Sequence, residues 1–498
     1  MVNLYFQPDA QLTTPDRMVL DILKKDYEHQ QKQPAASSPE ASDDSDDSTV
    51  KHTRYAPTPE GMPGPPPFPH THSPASLPPV LVPFGRLLTK STDALEHEQQ
   101  TLAILKDLND PTSSTFEPTV FVTVDLTSIT SPTLRKWIID PYVRWARTIV
   151  RVDTDVVMLT HLFLYFCTSI PSAIYMFYNF HWWHGPLHTI MQVYFMGTYT
   201  LMMHQHIHMR GILDKKYSAF DSVFPYITDP LMGHTWNSYY FHHVKHHHVE
   251  ANGPNDLSST VRYQRDDVWH FLHYVGRFYF LIWLDLPRYF LSTNKTGLAI
   301  KACGCEIASY LFYYTMYNYL NARATIFVFL IPLAIMRLGM MIGNWGQHAF
   351  VDEIQPDSDF RSSITVIDVA VSTPYPVRYK FEKLTRQQSN RYCYNDGYHT
   401  SHHLNPMRHW RDHPVSFLAQ KQKYSDEDAL VFYNIDYLMI TFSLLAKNYT
   451  HLAKCLVPIG AQMQLTMDER AKMLRRKTRR FTEEEIAEKW GKQYAKLK

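Results

Sequence analysis

A long apolar run, Val156–Tyr178, contains no Asp, Glu, Lys or Arg. A helix needs about 20 predominantly apolar residues to cross the roughly 30 Å of hydrocarbon in a bilayer. The run therefore predicts a transmembrane helix, which Pro171 would kink. The aromatic connection Asn179–Gly185 has the composition of an interfacial turn, and Pro186–Met203 predicts a return across the bilayer. Together the two runs predict a helical hairpin.

A second hairpin is predicted later in the chain, which gives about four spans in total. Its helices are Ile307–Leu320 and Ala324–Ile342, with Glu306 and Arg337 in or beside them. An ionisable residue at membrane depth is either functional or paired. Between the hairpins, Trp269–Phe290 repeats apolar residues at helical spacing but is interrupted by charges. That pattern favours an interfacial helix lying along the bilayer surface.

Basic residues flank the first hairpin and predict its orientation. Positively charged residues next to membrane helices favour the cytosolic side. Basic residues precede the first helix of the hairpin and follow the second, so both of these ends are predicted to face the cytosol. The candidate metal-binding histidines described below lie on the same side. The residues are Arg147 and Arg151 before the hairpin, and Arg210, Lys215 and Lys216 after it.

The first 110 residues are predicted to be a largely disordered tail with short helices. Glu28–Pro83 is rich in Gln, Ser, Asp and Pro, and such a segment buries too little apolar surface to offset the entropy of ordering. Helices are expected from Thr14 onward and over Thr92–Leu108. The fold class is therefore an all-α integral membrane protein with this tail, two transmembrane hairpins, an interfacial helix and a cytosolic helical cap.

Segments of different character flank the predicted membrane domain, residues 155–455. Residues 111–154 would form a pre-membrane cytosolic segment, with an extended stretch at Thr119–Leu126 and a helix from Ser131 to Ile149. Residues 456–498 would contain a basic C-terminal helix, for which Thr482 and Glu485 form a plausible capping box.

Composition excludes several other classes. The formal net charge is +1, and no basic motif with interleaved aromatic residues suggests a nucleic-acid partner. The five cysteines are scattered and odd in number, which indicates neither a disulfide framework nor a thiolate metal site.

The segment Phe241–Glu250 contains five histidines in seven consecutive positions. Neutral imidazole is the common protein ligand for iron, zinc and copper. In a helix, His243 shares a face with His246 or His247, so that a pair could chelate one ion. Further histidines with similar spacing are His204 and His208, His399 with His402 and His403, and His348 in Asn-Trp-Gly-Gln-His. Several such clusters in one chain predict a metal centre.

Arg337, Asn344 and His348 are spaced at i, i+7 and i+11, which places them on one helical face. We expect that face to point toward the metal site.

The order of these histidine clusters, together with Asn-x-x-x-His at Asn344 and His348, resembles the membrane fatty acid desaturase family over about Asp155 to Cys455. The resemblance implies a cytosol-facing di-iron centre above an apolar tunnel for an acyl chain, with dioxygen as co-substrate. Asn344 would reach the metal through water. The implied ligands are His204, His208, His243, two of His246, His247 and His248, and then His348, His399, His402 and His403.

The second cluster can be read in two registers. Its ligands would be His243 with His246 and His247, or His243 with His247 and His248. Asn252, four residues beyond His248, slightly favours the second register. His206 and His242 are expected to lie outside the ligand set, and Asp396 could orient a ligand imidazole.

A desaturase also needs electrons from another protein. The sequence has no His-Pro-Gly-Gly haem-binding box, no Gly-x-Gly-x-x-Gly fingerprint and no cysteine set for an iron–sulfur cluster. We therefore expect a separate donor, either a cytochrome b type haem protein or a ferredoxin. The expected location is the endoplasmic reticulum membrane, with the active site facing the cytosol.

Two other functions remain open from the sequence. A lipid hydroxylase on the same scaffold would share the first hydrogen abstraction and differ only in the later step. A histidine-rich metal transporter would place its ligands near the bilayer midplane within broken helices, whereas these histidines mostly flank the predicted helices.

Overall fold

The computed structural model describes residues 12–32, 92–116, 119–120, 131–367 and 390–494. Most of the predicted disordered stretch and nearly all of the predicted extended segment Thr119–Leu126 lie outside these residues. The α-helices are α1 Thr14–Lys32, α2 Thr92–Asp107, α3 Pro132–Leu134, α4 Asp140–Ala146, α5 Val156–Tyr178, α6 His184–Met209, α7 Ser218–Met232, α8 His248–Glu250, α9 Val268–Ser292, α10 Thr296–Thr315, α11 Ala322–Thr325, α12 Ile331–Gln347, α13 Asp359–Ser362, α14 His399–Leu404, α15 His413–Ala419, α16 Lys421–Asp426, α17 Tyr437–Leu445, α18 Tyr449–Cys455, α19 Met467–Arg476 and α20 Glu483–Lys489.

Shorter helical turns and three strands complete the described part of the chain. The π-helical segments are Arg135–Ile139, Tyr240–His247, Met316–Leu320 and Ile326–Leu330, and the 3-10 turns are Asp153–Asp155, Lys215–Tyr217, Trp410–Asp412, Gly460–Gln464 and Lys492–Tyr494. The strands are β1 Ile364–Ile367, β2 Leu430–Tyr433 and β3 Leu456–Val457.

The first predicted hairpin consists of α5 and α6. Helix α5 has the bounds of the predicted apolar run, with Pro171 inside it. The two helices pack through a stacked pair, Tyr165 and Tyr199, and through Gln192, whose side-chain oxygen accepts a hydrogen bond from Ser169. Buried polar groups between membrane helices are thus paired with each other.

Two segments in the described part of the chain are long and apolar enough to cross a membrane, Asp153–Tyr178 and Ala322–Gln347. Each belongs to a different predicted hairpin. The other two predicted spans, within α6 and α10, are not among these segments. The four-span topology therefore stays a prediction.

The turns of the two hairpins meet at one end of the molecule. Phe180, between α5 and α6, stacks on Phe327 with ring centroids 5.9 Å apart. Nearby, the guanidinium of Arg323 lies 5.3 Å from the ring centroid of Trp182. The opposite end of α6 carries His204 and His208, and the opposite end of α12 carries His348. Both hairpins therefore point their histidine ends in the same direction.

Arg337 does not face the metal-binding candidates, in contrast to the prediction from its spacing with Asn344 and His348. Its guanidinium forms an ion pair with Glu306 on α10 at 3.1 Å and donates to the Tyr310 hydroxyl at 2.9 Å. The buried charge is satisfied by a buried partner on the neighbouring helix, as an ionisable residue at membrane depth requires.

A small mixed sheet forms the centre of the cap. β1 and β2 are parallel, β2 and β3 are antiparallel, and the order is β1-β2-β3. The chain is mostly helical as predicted, but the sequence analysis did not anticipate this sheet. β3 directly follows residue 455, the predicted end of the membrane domain. The strand connections place α14, which carries three candidate histidines, beside β1.

Candidate metal centre

The structure brings nine of the ten predicted metal-binding histidines into two groups. Within each group the ligand nitrogens all lie within 4.8 Å of one another. Group one is His204, His208, His243, His248 and His402; group two is His247, His348, His399 and His403. The residues come from α6, the segment around Tyr240–His247, the end of α12, and α14. Four distant parts of the chain therefore converge on one place.

In group one, four Nε2 atoms form a closed ring. The distances are 2.7 Å from His243 to His204, 3.0 Å from His204 to His402, 2.9 Å from His402 to His248, and 3.0 Å from His248 to His243. The centre of a square with such edges lies about 2.1 Å from each corner, close to the length of a zinc–imidazole bond. The ring therefore has the dimensions of a metal coordination sphere.

The fifth member of group one supports the same interpretation. Nε2 of His208 is buried and has no hydrogen-bond partner among the described residues. Buried polar atoms normally have a partner. In group two, Nε2 of His403 is buried without a partner as well, and Nε2 atoms of His348 and His399 lie 3.2 Å apart. Both donor sets fit a metal ion that accepts several neutral nitrogens.

The π-helical segment Tyr240–His247 explains which histidines of the second cluster take part. A π-helix brings together residues five apart, and His243 and His248 are related in that way. His246 points elsewhere, because its Nε2 accepts a hydrogen bond from the Leu257 backbone N–H at 2.8 Å. Of the two registers, the structure groups His243, His247 and His248. The sequence analysis assumed an α-helix, for which this grouping is less natural.

The two expected bystanders lie outside both groups. His206 is on the other side of α6, where its Nε2 is 3.0 Å from the backbone oxygen of Asp221. His242 is buried against Phe278, with ring centroids 5.0 Å apart.

Oxygen atoms orient several of the grouped imidazoles from behind. Asp256 Oδ2 lies 2.7 Å from Nδ1 of His247, and the Ser362 backbone oxygen lies 2.8 Å from Nδ1 of His348. Asp359 is 3.5 Å from Nδ1 of His403. These acceptors hold the proton on Nδ1, which leaves Nε2 as the free ligand atom. None of these three acceptors was predicted, since no fixed spacing in the sequence links them to the histidines.

The two polar residues singled out by the sequence lie beside the groups. Asp396 Oδ1 is 3.8 Å from Nδ1 of His204, too far for a hydrogen bond, and Gln347 donates to its other oxygen at 3.2 Å. Asn344 is in neither group, and its amide donates to the Ser258 backbone oxygen and the Tyr274 hydroxyl at 2.9 and 2.7 Å.

Electrostatics favours the ligand form of the histidines. Burial, and then the neighbouring imidazoles, lower the pKa of His248, His399 and His402 well below the ordinary value. Neutral imidazoles are therefore present at neutral pH, and neutral imidazole is the form that binds metal. For Asp256, burial opposes ionisation, but His247 and His246 lower its pKa well below the ordinary value.

An apolar cavity of about 370 Å³ opens onto both groups. Its polar end includes His204 and His243 of group one and His247 and His399 of group two. Its walls come from α6, α12 and α17, with Val193, Met196, Leu201, Ile335, Met336, Leu338, Met340, Met341, Ile342, Leu438 and Phe442. Gly339 and Gly343 on α12 also line it, and an added Cβ at either would meet no atom within 4 Å.

The family model for fatty acid desaturases matches residues 180–417. This segment belongs to the fatty acid desaturase family. All nine grouped histidines lie within it. No curated protein and no solved structure matches the chain. Family membership implies an oxidoreductase of the desaturase type, with a lipid acyl substrate and a redox partner in general. The desaturase segment begins between α5 and α6 and ends within α15, so that α1, α2 and α5 lie outside it.

Proposed function

We propose that the chain is an oxygen-dependent di-iron desaturase that introduces a double bond into the acyl chain of a lipid or acyl thioester. The observation that carries the proposal is an apolar cavity whose end is formed by histidines from both groups. A protein that stores or transports metal does not need an apolar cavity next to its ligands. An enzyme that oxidises an acyl methylene needs such a cavity to bind the acyl chain.

Group one and group two would each hold one iron ion through imidazole nitrogens. The two ions, when bound, supply the oxidising power that takes hydrogen from an unactivated methylene with dioxygen and two electrons. Those electrons are proposed to come from a separate carrier, a cytochrome b type haem protein or a ferredoxin. Asn344, four residues before His348, lines the cavity and would contribute through water, as the family resemblance implies.

The cavity residues bind and align the acyl chain. Apolar walls stabilise the chain by removing its surface from water, with about 0.8 kcal/mol for each buried methylene. Gly339 and Gly343 leave room for the chain along one face of α12. Apolar walls also keep water away from the reacting carbon atoms, which limits side reactions.

The proposal includes a membrane location, which the direction of the two hairpins supports. The histidine ends of both hairpins face one direction, and basic residues mark that end of the first hairpin. The proposal therefore places the metal centre at the cytosolic surface of the endoplasmic reticulum membrane, with the cavity extending toward the bilayer.

Product analysis tests the reaction. Microsomes that contain the chain are supplied with ferrous iron, dioxygen, NADPH and a lipid pool, and the acyl chains are then analysed by mass spectrometry. We expect products two mass units lighter than the substrate, and none from the His402→Ala variant. Products 16 mass units heavier than the substrate would show that the reaction is hydroxylation and not desaturation. Unchanged acyl chains from an iron-loaded wild-type protein would reject lipid oxidation.

A further inference from the structure

The N-terminal arm, residues 12–32, lies outside the family match but contacts the segment that leads into α14. Helix α1 buries one face completely, including Val19 and Leu20, which are both 0% exposed. These residues pack in a core with Tyr398 and Phe417. The arm is therefore part of the cap, although the sequence predicts only a short helix in a tail.

A single carboxylate on this arm reaches the residue next to a candidate ligand. Asp16 is 0% exposed, and its Oδ1 accepts hydrogen bonds from the Tyr398 hydroxyl at 2.8 Å and the Asn390 side-chain amide at 3.0 Å. Oδ2 accepts from the Thr13 hydroxyl at 2.8 Å. Tyr398 directly precedes His399 of group two.

Asn390 extends the contact to the backbone of Gly397, two residues before His399. Its side-chain oxygen accepts from the Gly397 N–H at 3.0 Å, and its amide also donates to the Val366 backbone oxygen in β1 at 3.2 Å. A Cβ at Gly397 would lie 2.3 Å from that same oxygen, so only glycine allows the approach. Asp16 thus bonds to two side chains that define where the chain enters α14.

We propose that Asp16 is a positioning residue for group two, which holds His399 in place through Tyr398 and Asn390. The two contacts with Tyr398 and Asn390 fix the start of α14, where His399 is the first residue, and His403 of the same group follows within this short helix. A ligand displaced by a fraction of an ångström binds metal less tightly, and loss of an outer contact typically costs 10–100-fold in metal affinity. The inference rests on the proposed metal centre.

A second contact attaches the arm far from the metal. Lys421 on α16 forms ion pairs with Asp26 of α1 and Glu98 of α2. This pair holds the arm on the cap, whereas Asp16 connects the arm to group two. A substitution at Asp16 therefore removes the contact that positions His399, while the ion pairs of Lys421 still hold the arm on the cap.

The test measures the rate at which iron leaves the protein. Full-length protein in detergent is loaded with ferrous iron, a chelator is added, and the coloured iron–chelator complex is followed with time. In the Asp16→Leu variant we expect one iron per chain to leave about 10–100-fold faster than in the wild type. The second iron, held by group one, should be released with a much smaller change, because only His402 of its five histidines lies on α14.

Asp16→Asn is the matched conservative variant, because one amide oxygen can still accept from both Tyr398 and Asn390. We expect it to release iron at close to the wild-type rate. Tyr398→Phe removes the same hydrogen bond from the other side and should behave like Asp16→Leu, which covers the case in which Asp16→Leu fails to fold. Glu28→Gln, on an exposed position of α1, is the control and should release iron like the wild type.

Failure of this inference is distinguishable from failure of the proposed function. Wild-type release rates in both Asp16→Leu and Tyr398→Phe would overturn the positioning role while leaving the di-iron centre intact. A wild-type chain that holds zinc instead of iron would overturn the proposed reaction, and zinc release in the same variants would still test the arm. Equal acceleration of both metal ions would also overturn the inference, since it indicates general loosening.

Discussion

Asp256 Oδ2 lies 2.7 Å from Nδ1 of His247, and Oδ1 of the same carboxylate accepts from the Ser258 backbone N–H at 2.8 Å. Both residues are buried. An ionised carboxylate only accepts hydrogen bonds, so the imidazole carries its proton on Nδ1 and directs Nε2 toward group two. Asp256 therefore fixes both the tautomer and the ring orientation of His247.

Removing this carboxylate should weaken group two. We expect Asp256→Ala to lower the affinity for one metal ion about 10–100-fold and to reduce turnover accordingly. Asp256→Asn should have the smaller effect, because its amide oxygen can still accept from Nδ1. Metal titrations of the two variants against the wild type give the comparison. Equal affinities in all three proteins would show that Asp256 does not orient His247.

His246 and His248 form a matched pair of neighbouring histidines. Nε2 of His248 belongs to the ring of group one, whereas Nε2 of His246 accepts from Leu257. His248→Ala should therefore lose one metal ion and abolish turnover, while His246→Ala should keep both ions and measurable activity. Metal content and lipid products of the two variants decide between the registers. Loss of metal from His246→Ala but not from His248→Ala would favour the register of His243, His246 and His247.

Filling the cavity should block the substrate without disturbing the metal. Gly339 lines the cavity, and a side chain there would extend into open space. We expect Gly339→Leu to retain two metal ions and to lose most of its turnover on long acyl chains. Gly304→Leu on α10, which also meets no atom within 4 Å but does not line the cavity, is the control. Similar turnover in both variants would exclude this cavity as the acyl site.

Chemical labelling tests the predicted orientation in the membrane. Glu488 is exposed near the C-terminus, and Trp182 is exposed at the turn between α5 and α6. In a chain whose own cysteines are replaced, Glu488→Cys should react with an impermeant reagent in sealed microsomes. Trp182→Cys should react only after detergent is added. Labelling of both without detergent would require a different number of spans.

The contact between the arm and α14 should depend on pH. Burial raises the pKa of Asp16 to about 6. This effect outweighs the hydrogen bonds from Tyr398, Thr13 and Asn390 and the charge of Arg391, all of which lower the pKa. Since the folded pKa exceeds the ordinary 3.8, docking is strongest below about pH 4 and weakens as pH rises through 6. The loss is on the order of 3 kcal/mol, and most of it occurs between pH 4 and 6.

Retention of a cleaved arm measures this dependence. A specific protease site is inserted at residue 60, the chain is cut, and the fraction of N-terminal fragment that stays bound is determined at pH 4.5 and 7.5. The wild type should retain less at the higher pH. Asp16→Asn does not titrate and should retain the same fraction at both. A parallel decrease in this variant would assign the pH effect to another group.

The sequence was most informative where periodicity or residue chemistry is local. Val156–Tyr178 lacks charge, and its helix has those bounds. The histidine clusters were recognisable because imidazoles repeat at short spacing, and all but His246 converge. Local spacing could not reveal the π-helical segment around His243, because the extra residue in the turn depends on packing. Hence the choice between His246 and His248 stayed open.

Contacts between distant segments were beyond the sequence analysis. Asp256 and Asp359 approach the metal groups from loops with no fixed relation to the histidines. The position of Arg337 on α12 predicted that its side chain faces the metal. Its side chain instead points to Glu306 on a neighbouring helix, with which it forms an ion pair. Pairing of β1 with β2 joins residues more than sixty positions apart, for which short strands of four residues carry little signal.

The hydrogen bond between Asp16 and Tyr398 also sets an order of events during synthesis. The two residues are 382 positions apart, so the ribosome needs roughly 20 to 80 s after making Asp16 before Tyr398 appears. During that time the apolar face of α1, with Val19 and Leu20, lacks the part of its core that Tyr398 and Phe417 supply, while α5 and α12 are still being made. The arm leaves the ribosome among the first segments and reaches its place among the last. Docking of the arm therefore marks the completion of the cap, and a chain truncated before α14 would leave that face exposed to chaperones and proteases.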